Sequence, residues 1–124
     1  MDMDKQIAHW RGGAEEDLAV ARDLLQMGHA KHALFFAHLA VEKALKAHVA
    51  KTILAVPPRI HNLRRLAELA GIEVNGEETE YLADLNQWQI DSRYGDDDLP
   101  ESSFAPSDLL RFSGEYTSWL IKKL

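Results

Sequence analysis

The chain contains no cysteine. That single absence excludes disulfide staples, thiolate zinc sites and a cysteine nucleophile. No apolar run approaches the roughly 18 residues that a membrane helix needs. The opening MDMDKQ is too charged and too poor in apolar residues for a secretory leader. These absences predict a cytoplasmic protein with no membrane segment. The signatures of nucleotide and hydrolase chemistry are missing too. There is no GxGxxG and no P-loop, hence no glycine cradle for phosphate in either common style. GxSxG and HExxH are absent, as is the Gly-Ser followed by paired Asp with which nucleotidyltransferases hold magnesium. No cofactor is expected.

What is present is an ordinary globular composition, 46% hydrophobic and 27% charged over 124 residues, enough for one domain spanning residues 1–124 and no second. A chain of this size buries roughly two-thirds of its unfolded surface and so can build a core without staples. The net charge of −6 is unevenly spread. Residues 1–62 carry 8 Lys and Arg against 7 Asp and Glu, whereas residues 63–124 carry 6 against 13. Six bases (Lys43, Lys46, Lys51, Arg59, Arg64 and Arg65) fall within residues 43–65 with no acid among them. Residues 71–101 hold ten acids and one base, Arg93. The basic stretch suits a phosphate group or short polyanion, and the acidic one repels nucleic acid. Extended duplex DNA is excluded as a partner, because it needs many phosphate contacts on a broad basic face.

Helical periodicity dominates. The first segment, about residues 5–27, repeats Ile7, Trp10, Ala14, Leu18, Ala21 and Leu25 at three- and four-residue spacing, with Gly28 as its stop. Gly12 and Gly13 weaken its start. The second, about residues 30–55, is apolar nearly all round and must be covered on several sides, until Pro57 and Pro58 end it. A short helix over 63–70 takes Asn62 as cap and Gly71 as stop. Asn75-Gly76 reads as a turn before a fourth helix over about 77–92 with a Tyr81, Leu85, Trp88 stripe. After an Asp- and Ser-rich loop, Ser107 caps a last helix whose stripe runs through Phe112, Tyr116, Trp119 and Leu120. The expectation is an all-α, up-and-down bundle of four long or medium helices plus one short one.

Few residues point to chemistry by type and spacing. His29, His32, His38 and His48 fall at 0°, 300°, 180° and 100° around one helix, so they make no metal-binding face. His38 and Glu42 lie one turn apart, which reads as an ion pair or a partly buried histidine ahead of a metal fragment. Asp96, Asp97 and Asp98 read as solvated loop charge. No metal site is predicted. Arg93 stands alone in its acidic surroundings with Tyr94 beside it. A guanidinium there either serves the helix end or grips phosphate bidentately while the tyrosine ring stacks on a base. His61, between Arg59 and Arg64 at the mouth of the third helix, either bonds within the turn or joins such a site.

The run AHLAVEKALKA at residues 37–47 resembles the second-helix signature of HEPN domains. Ala14, Asp17, Leu18, Ala21 and Leu24-Leu25 before Gly28 resemble the family's first helix. The Pro-Pro, His61-Asn62-Leu63 and Leu66 pattern and then Asp91-Ser92-Arg93-Tyr94 match its later landmarks in order. The resemblance covers about residues 8–121. It implies a four- to five-helix bundle that dimerises through helix faces and, in many bacterial members, works beside a minimal nucleotidyltransferase in a toxin–antitoxin or related two-component system. Other members are metal-independent ribonucleases with an Arg-x4-6-His motif. Here no histidine follows His61, and Arg22 with His29 meets the spacing only across a helix end at Gly28. Without that general acid or base the ribonuclease mechanism loses its main group, and no catalytic residue is assigned. The expected function is a non-catalytic homodimeric module that binds nucleotide or presents substrate to a separate minimal nucleotidyltransferase, with nucleotide or short RNA as the ligand and Arg93, Tyr94, Lys43, Lys46 and His61 as candidate contacts. The alternatives are a divergent ribonuclease toxin using Arg93 with Tyr94 or one of Asp96–Asp98, and a purely structural or regulatory partner.

Overall fold

The computed structural model describes residues 2–88 and 104–124. They form five helices: α1 (Met3–Gln26), α2 (Ala30–Ile53), α3 (Leu63–Ala70), α4 (Gly76–Asn86) and α5 (Pro106–Lys122). The all-α bundle read from the sequence is what the chain adopts. Gln89–Ser92 of the expected fourth helix and the Asp-rich stretch after it lie outside the described residues, as do Arg93 and Tyr94.

α2 is the axis. It touches each of the other four helices, and thirteen of its residues are buried. Six of those are alanines, which let neighbouring backbones approach closely, while Leu34, Val41, Leu45 and Val49 fill the spaces between. The requirement that an apolar-all-round helix be covered on several sides is met by α1 along one flank, α5 along another, and α3 with α4 across the rest. From α1 come Ala14, Leu18 and Ala21, from α3 Leu63 and Leu66, from α4 Leu82 and Leu85, and from α5 Leu109 and Leu120, in one continuous core.

The helix ends differ instructively from expectation. α1 begins earlier, at Met3, because the Asp2 carboxylate accepts hydrogen bonds from the N–H groups of Asp4 and Lys5. It also runs unbroken through Gly12 and Gly13. At Gly13 a Cβ would stand 2.9 Å from Cδ of Lys43; the missing side chain is the space through which that lysine crosses α1. α4 is capped reciprocally. Asn75 accepts from the Glu78 N–H at 2.7 Å and the Glu78 carboxylate accepts from the Asn75 N–H at 3.1 Å. The Asn75-Gly76 pair is therefore a cap and a first helical residue. α5 begins one residue before the expected cap. Pro106 occupies the first turn behind Ala105, with no side-chain cap, because a fixed φ and a missing N–H cost nothing there. Ser107 consequently lies inside the helix. α2 stops at Ile53 on Leu54, which takes a left-handed conformation with φ 56°. Continuing the helix would drive the Pro57 ring against the Ile53 carbonyl.

Two substitutions separate packing from conformational strain. Leu45→Ala opens a cavity in a site with no solvent access and is expected to destabilise by about 2–5 kcal/mol in urea unfolding. Leu54→Gly removes an exposed side chain from a left-handed position and is expected to hold or raise stability, by up to about 1 kcal/mol. A loss of more than that would show that the Leu54 side chain has a packing role.

Candidate functional site

His38, Glu42 and Lys46 recur every four residues and so share one face of α2. All three are buried, at 1%, 4% and 6% exposure. An isolated carboxylate in such a place costs several kcal/mol, so its partners decide whether it is tolerated. Glu42 has three. The Lys46 ammonium lies 3.2 Å from Oε2, Nδ1 of His61 lies 3.1 Å from Oε1, and Nδ1 of His38 lies 3.7 Å from the same oxygen. Lys46 is further held over the Trp10 ring of α1, 5.4 Å from its centroid, and the Trp10 indole N–H donates to Gln6.

His61 joins this buried group to the surface. It sits in the connection between α2 and α3 with half its side chain exposed. A carboxylate only accepts, so Nδ1 carries the hydrogen in this bond and Nε2 is the nitrogen left for a ligand. The residues after it are fixed as tightly. Asn62 caps α3 by accepting from the N–H groups of Arg64 and Arg65. The Leu63 N–H donates to Oδ1 of Asn86, the last residue of α4, at 2.9 Å, and the Asn86 amide donates to Asn62 at 3.4 Å. The C-terminal end of α4 is thereby docked against the His61-Asn62-Leu63 corner. Arg59, Arg64 and Arg65 surround that corner in sequence, with Arg65 engaged by Glu68 at 3.0 Å.

His38 is the electrostatic outlier. Burial pushes its pKa down to about 4 from an ordinary 6.5, against the opposing pull of the Glu42 charge and of the nearby His61 backbone and Asn86 side chain, while the His61 charge adds to the lowering. Neither ring nitrogen has a well-formed hydrogen bond among the described residues. The imidazole is neutral at pH 7, a buried polar wedge and not the surface ion pair that spacing alone also permits.

The remaining sequence candidates are placed as follows. Lys43 reaches across Gly13 to Asp17 of α1, with 2.7 Å between Nζ and Oδ2. Lys46 and His61 meet through Glu42, whereas Lys43 stands apart on its own carboxylate. Lys51 donates to the Leu124 carbonyl at 3.1 Å. Glu42 and Asn86 were not singled out as site residues from the sequence. The signal for Glu42 was legible, because a His-Glu-Lys series at four-residue intervals on an otherwise apolar helix marks a buried polar stripe. Asn86 carried no comparable signal, since its partners lie more than twenty residues away.

A family model described as HEPN domain matches residues 7–122. The chain belongs to the HEPN domain family. No match was found among curated proteins or among solved structures. This HEPN domain has no helix among its described residues long and apolar enough to cross a membrane.

The neutral His38 makes the HEPN core sensitive to acid. Its folded-state pKa is below that of the unfolded chain, so the unfolded state binds more protons between about pH 4 and 6.5. Stability is therefore full above that window and falls as pH drops through it. Urea unfolding is expected to show about 2 kcal/mol lost from this group between pH 7 and pH 5. A His38→Gln variant should lack this slope even if its stability at pH 7 is lower. An unchanged slope in the variant assigns the acid sensitivity elsewhere.

Proposed function

We propose that this HEPN domain is a non-catalytic binding module for nucleotide phosphate, working as a homodimer beside a separate minimal nucleotidyltransferase in a two-component, toxin–antitoxin-like pair. The observation that supports it is the His61 corner. A half-exposed imidazole is held by a buried carboxylate at the mouth of a helix whose first turn carries Arg64 and Arg65. Asn86 docks the end of α4 against the same corner, and the sequence following α4 carries Arg93 and Tyr94. In this reading Arg93 takes the phosphate bidentately, Tyr94 stacks on the base, and His61 contributes Nε2 as a further polar contact. Lys46, whose ammonium group already meets Glu42, holds the frame in which His61 stands, while Lys43 is engaged by Asp17.

The non-catalytic part of the reading rests on the chain itself. An Arg-x4-6-His motif cannot be completed after Arg93, because no histidine follows His61. His61 precedes Arg93 by more than thirty residues and its Nδ1 is engaged by Glu42.

Calorimetric titration of ATP, GTP and short RNA into the wild type, Arg93→Ala and His61→Gln tests the site. Saturable nucleotide binding is expected, weakened by about tenfold or more in Arg93→Ala, the ordinary worth of a charged hydrogen-bonded contact. Equal binding by wild type and Arg93→Ala, or none at millimolar nucleotide, removes Arg93 from the site. Affinity purification of the tagged chain from its native cells, with mass spectrometry, tests the partner. A stoichiometric small nucleotidyltransferase is expected; a lone homodimer that cleaves RNA would overturn the reading.

A further inference from the structure

On the side of the bundle formed by α4 and α5 the aromatic residues form a ladder. Phe104 stacks on Tyr81 with ring centroids 4.0 Å apart, Tyr81 on Phe112 at 4.5 Å, Phe112 on Tyr116 at 5.2 Å, and Tyr116 on Trp119 at 5.8 Å. The planes are within 19° of parallel throughout. Near-parallel rings whose centroids are more than 5 Å apart are slid past one another, so the upper rungs overlap only in part. Trp119, on the apolar stripe of α5 by its spacing, is 42% exposed. It already carries an ammonium group, that of Lys123, 5.1 Å from its centroid.

This wall bounds a groove of about 360 Å³ between the first turn of α4 and the second half of α5. The groove also takes in the carboxylates of Glu77, Glu78 and Glu115, and among the described residues no lysine or arginine lines it. Glu78 uses one oxygen to cap its own helix, which leaves the other. The second wall feature is Tyr116. Its side chain is 4% exposed, and its hydroxyl is buried without a hydrogen-bond partner among the described residues. Burial and the charge of Glu78 push its pKa up to about 12, so the group remains a neutral phenol that can accept from a ligand N–H. A buried polar atom without a partner needs an explanation, and a donor bound in the groove supplies one.

We propose that this groove binds an alkylammonium ligand of the polyamine class, with its ammonium groups on Glu77, Glu78 and Glu115 and its methylene stem along Phe112, Tyr116 and Trp119. Three carboxylates select positive charge, and ring faces add cation–π attraction that anions and neutral solutes do not share. A divalent metal gains nothing from an aromatic wall and demands several oxygens in one tight shell. A chain of methylenes with ammonium groups at intervals matches both halves of the groove. This site lies on α4 and α5, shares no residue with the His61 corner, and stands or falls independently of nucleotide binding there.

Calorimetric titration of spermidine, putrescine and magnesium chloride at constant ionic strength into the full chain provides the test. Variants are Glu77→Gln/Glu115→Gln, both positions being solvent-exposed, and Trp119→Ala, with circular dichroism to confirm that each remains helical. Saturable one-to-one binding of spermidine is expected, with putrescine weaker and magnesium silent. The double glutamine variant should bind about tenfold more weakly and Trp119→Ala about fivefold more weakly, as loss of charge pairing and of one ring face dictates. No saturable binding at millimolar spermidine, equal competition by magnesium, or wild-type affinity in the double variant overturns the proposal.

Discussion

A carboxylate inside an apolar helix is the constraint around which this bundle is arranged. Glu42 lies at the middle of α2, whose buried residues apart from His38, Glu42 and Lys46 are all alanine, leucine and valine. Its charge is tolerable only because Lys46 and His61 both reach it. Those two partners come from different directions, one from the next turn of the same helix and one from the connection leading to α3. Removing either leaves a buried charge short of a partner, which costs far more than a surface pair is worth. The path of the chain after α2 is thus tied to one oxygen atom. The tie continues outward through Asn62 and Asn86 to the end of α4 and inward through Lys46 to Trp10 on α1. Four of the five helices are referenced to it.

Packing around this polar thread follows from side-chain size. The alanines of α2 let α1 approach closely along most of its length, and the second ion pair of the interface exploits that proximity. Lys43 extends over the bare backbone of Gly13 to Asp17. A glycine that is a liability for helix propensity is repaid by the passage it opens between helices. The same geometry recurs at Gly114 of α5, where a Cβ would lie 2.8 Å from Nη2 of Arg22. In both places a long cationic side chain of one helix crosses a glycine of another.

The two proposed surfaces differ in kind. The His61 corner is a meeting of loop and helix ends, where backbone N–H groups are already bonded and one imidazole nitrogen is left over. The aromatic groove is a face of regular helix, shaped by the spacing of Phe112, Tyr116 and Trp119 on α5 and completed by Tyr81 from α4. Their charges also oppose one another. The corner lies within the basic stretch at residues 43–65, and the groove draws its glutamates from the acidic half.

The sequence by itself determined the helices, because three- and four-residue apolar spacing, the Asn62 cap and the glycine stops are local physics. It also determined that α2 must be enclosed and that the chain has the landmarks of HEPN domains. It misplaced the start of α5, since a serine cap and an N1 proline compete within two residues, and it read the Asn75 capping box only as a turn. The site was legible in part. His61 was visible as an outlier by its neighbours, but Lys43 and Lys46 looked like free cations, because the sequence does not show which carboxylate lies across a helix interface. Only the tertiary structure decided that Lys43 is spent on Asp17, that His38, Lys46 and His61 converge on one buried glutamate, and that rings on α4 and α5 align into a ladder. Helix formation depends on neighbours a few residues apart, whereas burial of a charge and stacking of rings depend on how helices distant in sequence are rotated against one another, a choice made by the packing of the whole core.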